Sequence, residues 1–226
     1  MFSELAPDLF VLSEPLSFHG FEIGRNMVVV RLPDGDLFVN SPAGLTPDRV
    51  AALNDLGTVR YVTPSSKLHG HLHMEEYERA FPDAELFAAP GLDRRRADLA
   101  FDGLLGGSPD PRWADSVDQT AFLGHRWLTE IEFFHRPTGT LILGDVCYNL
   151  GPDAPLKTRL AARLFGMFGG VSVPLDLRYT VKNEAAARRS VERILAWDFE
   201  RVVVGHGRVV ERDAKRRVRE AFEWLY

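Results

Sequence analysis

The sequence predicts an α/β (α+β) fold in which two mixed β-sheets form a sandwich flanked by helices. Short segments rich in Val, Leu and Phe occur in two groups along the 226 residues. Each group is followed by segments with helical periodicity. The first strands follow one another without intervening helices, whereas a parallel doubly wound fold alternates strand and helix from the start. The length fits one large domain, which we assign to residues 1–226.

Strands dominate the first half of the chain. The turn signal at Pro33-Asp34-Gly35-Asp36 predicts a hairpin between two of them. The first helix follows the capping residue Thr46, has Pro47 at its first position and ends at Gly57. The predicted strands cover residues 8–12, 26–32, 36–41, 59–63 and 85–89, and a short helix covers 74–81.

The second half begins with a polar stretch, residues 91–118, which we expect to be mostly loop. Residues 156–168 form an amphipathic segment. We favour a helix packed on its own domain there, with a lid over the functional site second and an interfacial membrane helix as a third interpretation. Strands are predicted at 120–124, 131–135, 140–144 and 201–205, and helices at 183–197 and 213–226.

Composition excludes several classes of function. The chain carries 27 basic and 32 acidic residues, a net charge of −5, which argues against a dedicated nucleic-acid binder. No apolar run is long enough to span a membrane, and the N-terminal residues lack the basic segment of a signal peptide. The single cysteine, Cys147, excludes an intrachain disulfide. We expect a cytoplasmic protein with a small-molecule substrate, and the oligomeric state is left open.

Three of the seven histidines lie in one short stretch directly after a predicted strand. His69 and His71 are alternate residues, so in an extended segment both side chains can face one ion, and Gly70 allows a tight bend between them. Neutral imidazole is a ligand that suits zinc and iron. His69, His71 and His73 therefore form a candidate metal-binding loop, with a solvated polar loop as the alternative.

Two further candidate ligands stand at strand ends. Asp145 follows the apolar strand 140–144, and His206 lies where the strand 201–205 meets glycine. A carboxylate at a strand tip contributes little to packing, although a turn aspartate that bonds its own backbone is an equally ordinary explanation. The joint position of these residues and the histidine loop at separate strand ends predicts a site.

These motifs resemble those of the metallo-β-lactamase fold superfamily, over nearly the whole chain. Members carry a His-x-His-x-Asp-His loop after a strand, then a Gly-His, a Gly-Asp and a late Gly-His. The corresponding residues here are His69-Gly-His71-Leu-His73-Met74, Gly124-His125, Gly144-Asp145 and Gly205-His206. The segment Phe-Phe-His-Arg-Pro-Thr-Gly-Thr-Leu-Ile at 133–142 is similar to an uncharacterised branch described only as a domain of unknown function.

The resemblance implies an αββα sandwich and a set of metal ligands. His69, His71 and His125 would bind a first metal, with Asp145 beside it or bridging. A second metal would keep His206 and Asp145, plus His73 in place of the missing carboxylate. Met74 stands at a ligand position, and a thioether is a poor ligand for a hydrolytic metal. We therefore expect one intact site and one damaged site. If His71 and His73 are instead aligned with the first two histidines of the family motif, the first site has one ligand fewer.

The function implied is that of a hydrolase that attacks a small ester, thioester, lactone or phosphoester with metal-activated water. Asp145 and His73 are the candidate catalytic residues. Zinc is the favoured cofactor, as one ion, with iron or manganese as alternatives. The absence of a G-x-S-x-G motif argues against a serine hydrolase. Two other functions stay open: a catalytically degenerate family member that binds a ligand or partner without turnover, and an oxidoreductase that uses iron.

Overall fold

The computed structural model describes all residues 1–226, with fifteen strands, seven α-helices and two short 3₁₀ turns. The strands are β1 (Ser3–Ala6), β2 (Leu9–Glu14), β3 (Ser17–Phe18), β4 (Phe21–Glu22), β5 (Arg25–Arg31), β6 (Asp36–Asn40), β7 (Thr58–Thr63), β8 (Glu85–Ala88), β9 (Gly103–Leu104), β10 (Val117–Phe122), β11 (Glu130–His135), β12 (Thr140–Ile142), β13 (Tyr148–Asn149), β14 (Arg201–Val203) and β15 (His206–Gly207). The helices are α1 (Pro47–Leu56), α2 (Met74–Ala80), α3 (Leu92–Arg95), α4 (Leu156–Leu164), α5 (Leu175–Thr180), α6 (Glu184–Ala196) and α7 (Ala214–Ala221).

Two mixed sheets form the centre of the fold. The first has seven strands in the order β1-β2-β5-β6-β7-β8-β9, and the second has four in the order β10-β11-β12-β14. β5 and β6 form the predicted antiparallel hairpin, while β6, β7, β8 and β9 run parallel. In the second sheet only β12 and β14 are parallel. Two short pairs, β3–β4 and β13–β15, complete the strands.

Alternation along the strands explains the layers. Val28 and Val30 of β5 point into the core between the two sheets, whereas Met27 and Val29 face the helices that cover the first sheet. These opposite faces follow from the two-residue period of a strand. Leu53 of α1 and Tyr77 of α2 fill that outer core.

The second sheet is covered in the same way. Ile131 and Phe133 of β11 enter the core between the sheets, while Phe134 of the same strand packs toward α6 and α7. Each sheet is therefore apolar on both faces, which produces four layers in the order helix, sheet, sheet, helix. This arrangement confirms the αββα sandwich.

The structure adds detail to two parts of the sequence-based assignment. The stretch 91–118 is mostly loop and turn, as expected, and it also contains α3, the short strand β9 and the buried Trp113. Trp113 lies against Phe38 in the core between the sheets, with ring centroids 5.2 Å apart, so tertiary packing orders a segment whose Gly and Pro content indicates loop. The amphipathic segment 156–168 contains the favoured helix, α4, which ends at Leu164.

Helix α4 packs against the rest of the fold through one side only. Ala162 joins a small apolar cluster with Ile23, Tyr148 and Leu150. Leu156, Leu160 and Leu164 on the opposite side are exposed. None of the seven helices is long and apolar enough to cross a bilayer.

The buried imidazole of His135 predicts acid sensitivity of the fold. Its Nδ1 lies 2.8 Å from the Thr138 hydroxyl oxygen, and burial lowers its pKa to about 4, with only partial compensation from Asp8. The unfolded chain therefore binds more protons than the folded chain between about pH 6.5 and 4. We expect His135 to reduce the free energy of unfolding by about 2 kcal/mol between pH 7 and 5.

Urea denaturation at both pH values measures this effect, with His135→Asn as the comparison. The variant should lose less stability on acidification than the wild-type protein. Equal losses in the two proteins would contradict the prediction.

Candidate metal centre

Three chain segments that are distant in sequence meet at one end of the sheet sandwich. The loop between β7 and α2 contributes His69, the residues after β12 contribute Asp145, and β15 contributes His206. One potential ligand atom from each of the three residues lies within 4.8 Å of the others. We call this set the His69–Asp145–His206 cluster.

Glycine allows these segments to approach. A side chain at Gly144 would overlap the Cβ of Ser65, and one at Gly205 would overlap the carbonyl group of Gly144. Asp145 and His206 each follow one of these glycines. The glycine in each Gly-Asp and Gly-His pair is therefore required by close packing of the loops.

Asp145 lies at the centre of the cluster and is 3% exposed. Its Oδ1 contacts Nδ1 of His69 and lies 3.1 Å from Nε2 of His206. Its Oδ2 accepts a hydrogen bond from the Ser66 hydroxyl. Burial alone raises the pKa of this carboxyl, but the bonds from His206 and His69 outweigh it and hold the pKa well below its ordinary value.

The tautomer of His206 gives a test of whether a metal fits. Its Nδ1 lies 2.7 Å from the carbonyl oxygen of Gly24, which can only accept, so Nδ1 carries a proton. In the neutral ring Nε2 is then an acceptor that faces another acceptor, Asp145 Oδ1. A cation between the two groups, or a second proton on the ring, removes this conflict. Two imidazoles and a carboxylate suit zinc and iron, so the residues present fit a divalent metal.

Aromatic rings fix the orientation of both imidazoles. The Tyr148 ring stacks on His206 with centroids 4.6 Å apart, and Phe18 meets the ring of His69 edge-on at 5.0 Å. The rings of His69 and His206 are themselves nearly perpendicular, at 87°. These contacts limit rotation of the side chains that would bind an ion.

Backbone hydrogen bonds position the two segments that carry Asp145 and His206. The buried carboxyl of Glu130 accepts from the N–H of Gly144 at 2.8 Å and from the N–H of Val146 at 3.0 Å, on either side of Asp145. The side-chain amide of Asn26 donates to the carbonyl oxygens of Val204 at 2.8 Å and Gly207 at 2.9 Å, on either side of His206. Burial and the charge of Asp145 raise the pKa of Glu130.

The structure does not bring His71 to the cluster. Arg96 approaches its Nδ1 at 3.4 Å, and its Nε2 is buried without a hydrogen-bond partner. Burial and the positive charges of Arg95 and Arg96 lower its pKa to about 4. Although His69 and His71 are alternate residues, the loop after β7 turns instead of continuing as a strand, so the two side chains need not share a face.

His73 and His125 also lie elsewhere. His73 stands at the start of α2, where its Nδ1 lies 2.8 Å from Glu76 Oε1. His125 has both ring nitrogens engaged, with Nε2 2.6 Å from the Thr180 hydroxyl and Nδ1 accepting from the Leu128 N–H at 3.3 Å. The expected trio of His69, His71 and His125 is thus not assembled. The third residue of the cluster, beside Asp145 and His206, is His69 and not His73.

Sequence reasoning did not identify Ser66, Glu130 or Asn26. One signal was available for Glu130: it and Glu132 are alternate acidic residues in an otherwise apolar strand, which places both on one buried face. Ser66 and Asn26 carry no such signal, because their partners lie 79 and 178 residues away in the chain.

The cluster borders a small polar crevice and a larger, mostly apolar cavity. On one side is a small crevice lined by polar residues and glycines, which include Arg25, Asn26 and Ser41. On the other side His69 and Asp145 form part of the wall of a cavity of about 730 Å³. A buried polar cluster beside a mostly apolar cavity is the usual arrangement of a small-molecule site.

Comparisons with known proteins agree with this architecture. A family model described as Domain of unknown function (DUF4336) matches residues 21–166. The search of curated proteins found no match. A metallo-β-lactamase from Pontibacter korlensis superposes with a TM-score of 0.70 at 10% identity, covering 100% of this chain and 98% of that chain. A metallo-β-lactamase from Hirschia baltica gives 0.68 at 14% identity, with coverage of 98% and 96%.

A variant of a flavo di-iron protein from Thermotoga maritima also superposes, with a TM-score of 0.68 at 12% identity. It covers 100% of this chain but only 61% of that protein. At such identities the similarity concerns the fold alone, which is the metallo-β-lactamase fold.

The two hydrogen bonds to Glu130 predict a large effect of its removal. Glu130→Ala should lower the free energy of unfolding by about 3 kcal/mol, because it leaves a cavity and two buried N–H groups without acceptors. Glu130→Gln keeps an acceptor oxygen and should cost less than about 1 kcal/mol. Urea denaturation at pH 7 measures both. Glu132→Ala removes an equally buried carboxyl without such bonds, and a loss there as large as that of Glu130→Ala would contradict the assignment.

Proposed function

The chain belongs to the family described as Domain of unknown function (DUF4336), and from that premise we propose that it is a metal-dependent hydrolase. In this proposal His69, Asp145 and His206 hold one divalent ion. The observation that carries it is the convergence of their ligand atoms, all within 4.8 Å of one another, in the wall of a cavity of ligand size.

The donor set and the fold neighbours support zinc or iron as the ion. Two histidines with one carboxylate occur in catalytic zinc sites and in non-haem iron sites. The neighbours include metallo-β-lactamases and a flavo di-iron protein. One ion is proposed because no second set of three His, Cys, Asp or Glu ligand atoms comes equally close.

The chain's own residues hold and orient the centre. Ser66 and the His69 N–H, which lies 3.4 Å from Asp145 Oδ2, both donate to that oxygen and leave Oδ1 facing the two imidazoles. The Gly24 carbonyl fixes the tautomer of His206 so that Nε2 faces the centre. A bound ion at this position supplies a water of lowered pKa and polarises a carbonyl or phosphoryl oxygen.

The proposed substrate is a small ester, thioester, lactone or phosphoester that reaches the centre through the cavity. Asp145 acts as a ligand in this scheme, since it is almost fully buried and has both oxygens engaged. His73 is left without a catalytic role, because it pairs with Glu76 at the start of α2.

A second candidate function is a binding protein that keeps the metal and a ligand without turnover. The observation that favours it is the small number of ligands, since His71, His73 and His125 all lie outside the cluster. The two candidates predict the same metal content but differ in turnover, which makes them separable by experiment.

Metal content tests the ligand assignment directly. Protein purified from cells supplied with zinc or iron should carry about one ion per chain, because the fold already brings the three ligands together. His69→Ala, Asp145→Ala and His206→Ala should each lose most of it, because each removes a ligand. Elemental analysis of each purified protein gives the count.

His73→Ala and His125→Ala are the matched controls, because both histidines lie outside the cluster. Both should keep the ion. Loss of metal in the controls together with its retention in Asp145→Ala would overturn the proposed centre. Hydrolysis of generic esters and phosphodiesters that is abolished by chelator and restored by metal then separates turnover from binding alone.

A further inference from the structure

The cavity beside the cluster is lined mainly by hydrocarbon. Fourteen of its 22 lining residues are hydrophobic. They come from separate parts of the fold, so the cavity is a product of packing between them: Phe21 from β4, Tyr148 from β13, Ala161 from α4 and Leu177 from α5. At about 730 Å³ it is large enough to enclose a ligand of considerable size.

Two polar side chains of this wall bond to the protein itself. The Thr158 hydroxyl accepts from the N–H of Glu22 at 3.0 Å, and Nη1 of Arg95 donates to the carbonyl oxygen of Lys67 at 2.7 Å. A sugar or nucleotide would need several free donors and acceptors in such a wall, since buried polar groups cost free energy unless they are hydrogen-bonded. Because most of the lining residues are hydrophobic, the wall favours an apolar ligand.

The cavity meets the cluster at His69 and Asp145. His69 and Asp145 belong both to this wall and to the polar crevice behind it, whereas Phe21, Ala162 and Leu150 lie in the apolar part. A ligand that matches this distribution has one reactive polar group and a hydrocarbon tail. We propose that the cavity binds the acyl chain of an aliphatic ester or thioester, with its carbonyl group at the cluster. This inference rests on the proposed hydrolase function and specifies its substrate.

Chain-length dependence tests the proposal. Each methylene that enters an apolar cavity should improve transition-state binding about fourfold. We expect kcat/KM for acetyl, butyryl, hexanoyl and octanoyl p-nitrophenyl esters to rise by roughly fifteenfold for each pair of methylenes until the cavity is filled. A flat or falling series, or a preference for aromatic over aliphatic acyl groups, would overturn the proposal.

A matched pair of variants on α4 locates the effect. Ala161 lines the cavity, whereas its neighbour Leu160 is 61% exposed and does not. Ala161→Trp should lower the ratio of octanoyl to acetyl kcat/KM by at least about tenfold, since the indole occupies space that the chain would fill. Leu160→Trp should leave the ratio unchanged. An equal effect of both variants on the ratio would contradict the location.

Binding without turnover separates this inference from the proposed function. Isothermal titration of decanoic acid and hexanoic acid into metal-free protein measures the cavity alone. Tighter binding of the longer acid, weakened by Ala161→Trp and not by Leu160→Trp, supports an acyl site even if no ester is hydrolysed. Hydrolysis without any chain-length dependence, and no difference between the two acids, would instead leave the hydrolase standing and refute the acyl site.

Discussion

The buried carboxylate of Asp145 is the group on which the arrangement of the site depends. An ionised carboxylate that is almost fully removed from water is costly unless charged or polar partners surround it. Here Ser66 and His69 approach it from the loop after β7, and His206 approaches it from β15. The hydrogen bonds that compensate the charge of Asp145 therefore connect the end of the seven-stranded sheet to segments that follow strands of the four-stranded sheet.

Backbone groups on both sides of the cluster make this arrangement rigid. Glu130 brackets Asp145 through the N–H groups of Gly144 and Val146, and Asn26 brackets His206 through the carbonyl groups of Val204 and Gly207. Support of this kind positions potential ligands before any ion is bound. The apolar cavity and the polar network together place His69 and Asp145 at a boundary between hydrocarbon and polar protein.

The motif was found in the sequence, but its assignment to ligands changed. β7 ends at Thr63, and the loop that follows it brings His69 to Asp145 and His206. His71 and His125, which were expected with His69 in a first site, are not part of this cluster. Histidine spacing alone could not show this, because alternate residues share a face only while the chain stays extended.

Local sequence determined much of the architecture: the alternating strands, the hairpin β5–β6, the Thr46 and Asn183 caps and the Gly-Asp and Gly-His pairs all appear in the structure. These features depend on neighbouring residues, and neighbours are visible in a sequence. Tertiary structure alone decided which histidines meet Asp145, how Trp113 orders the segment 91–118, and that α4 borders a cavity. Each of these depends on contacts between residues far apart in the chain, and their geometry is set by the packing of whole layers.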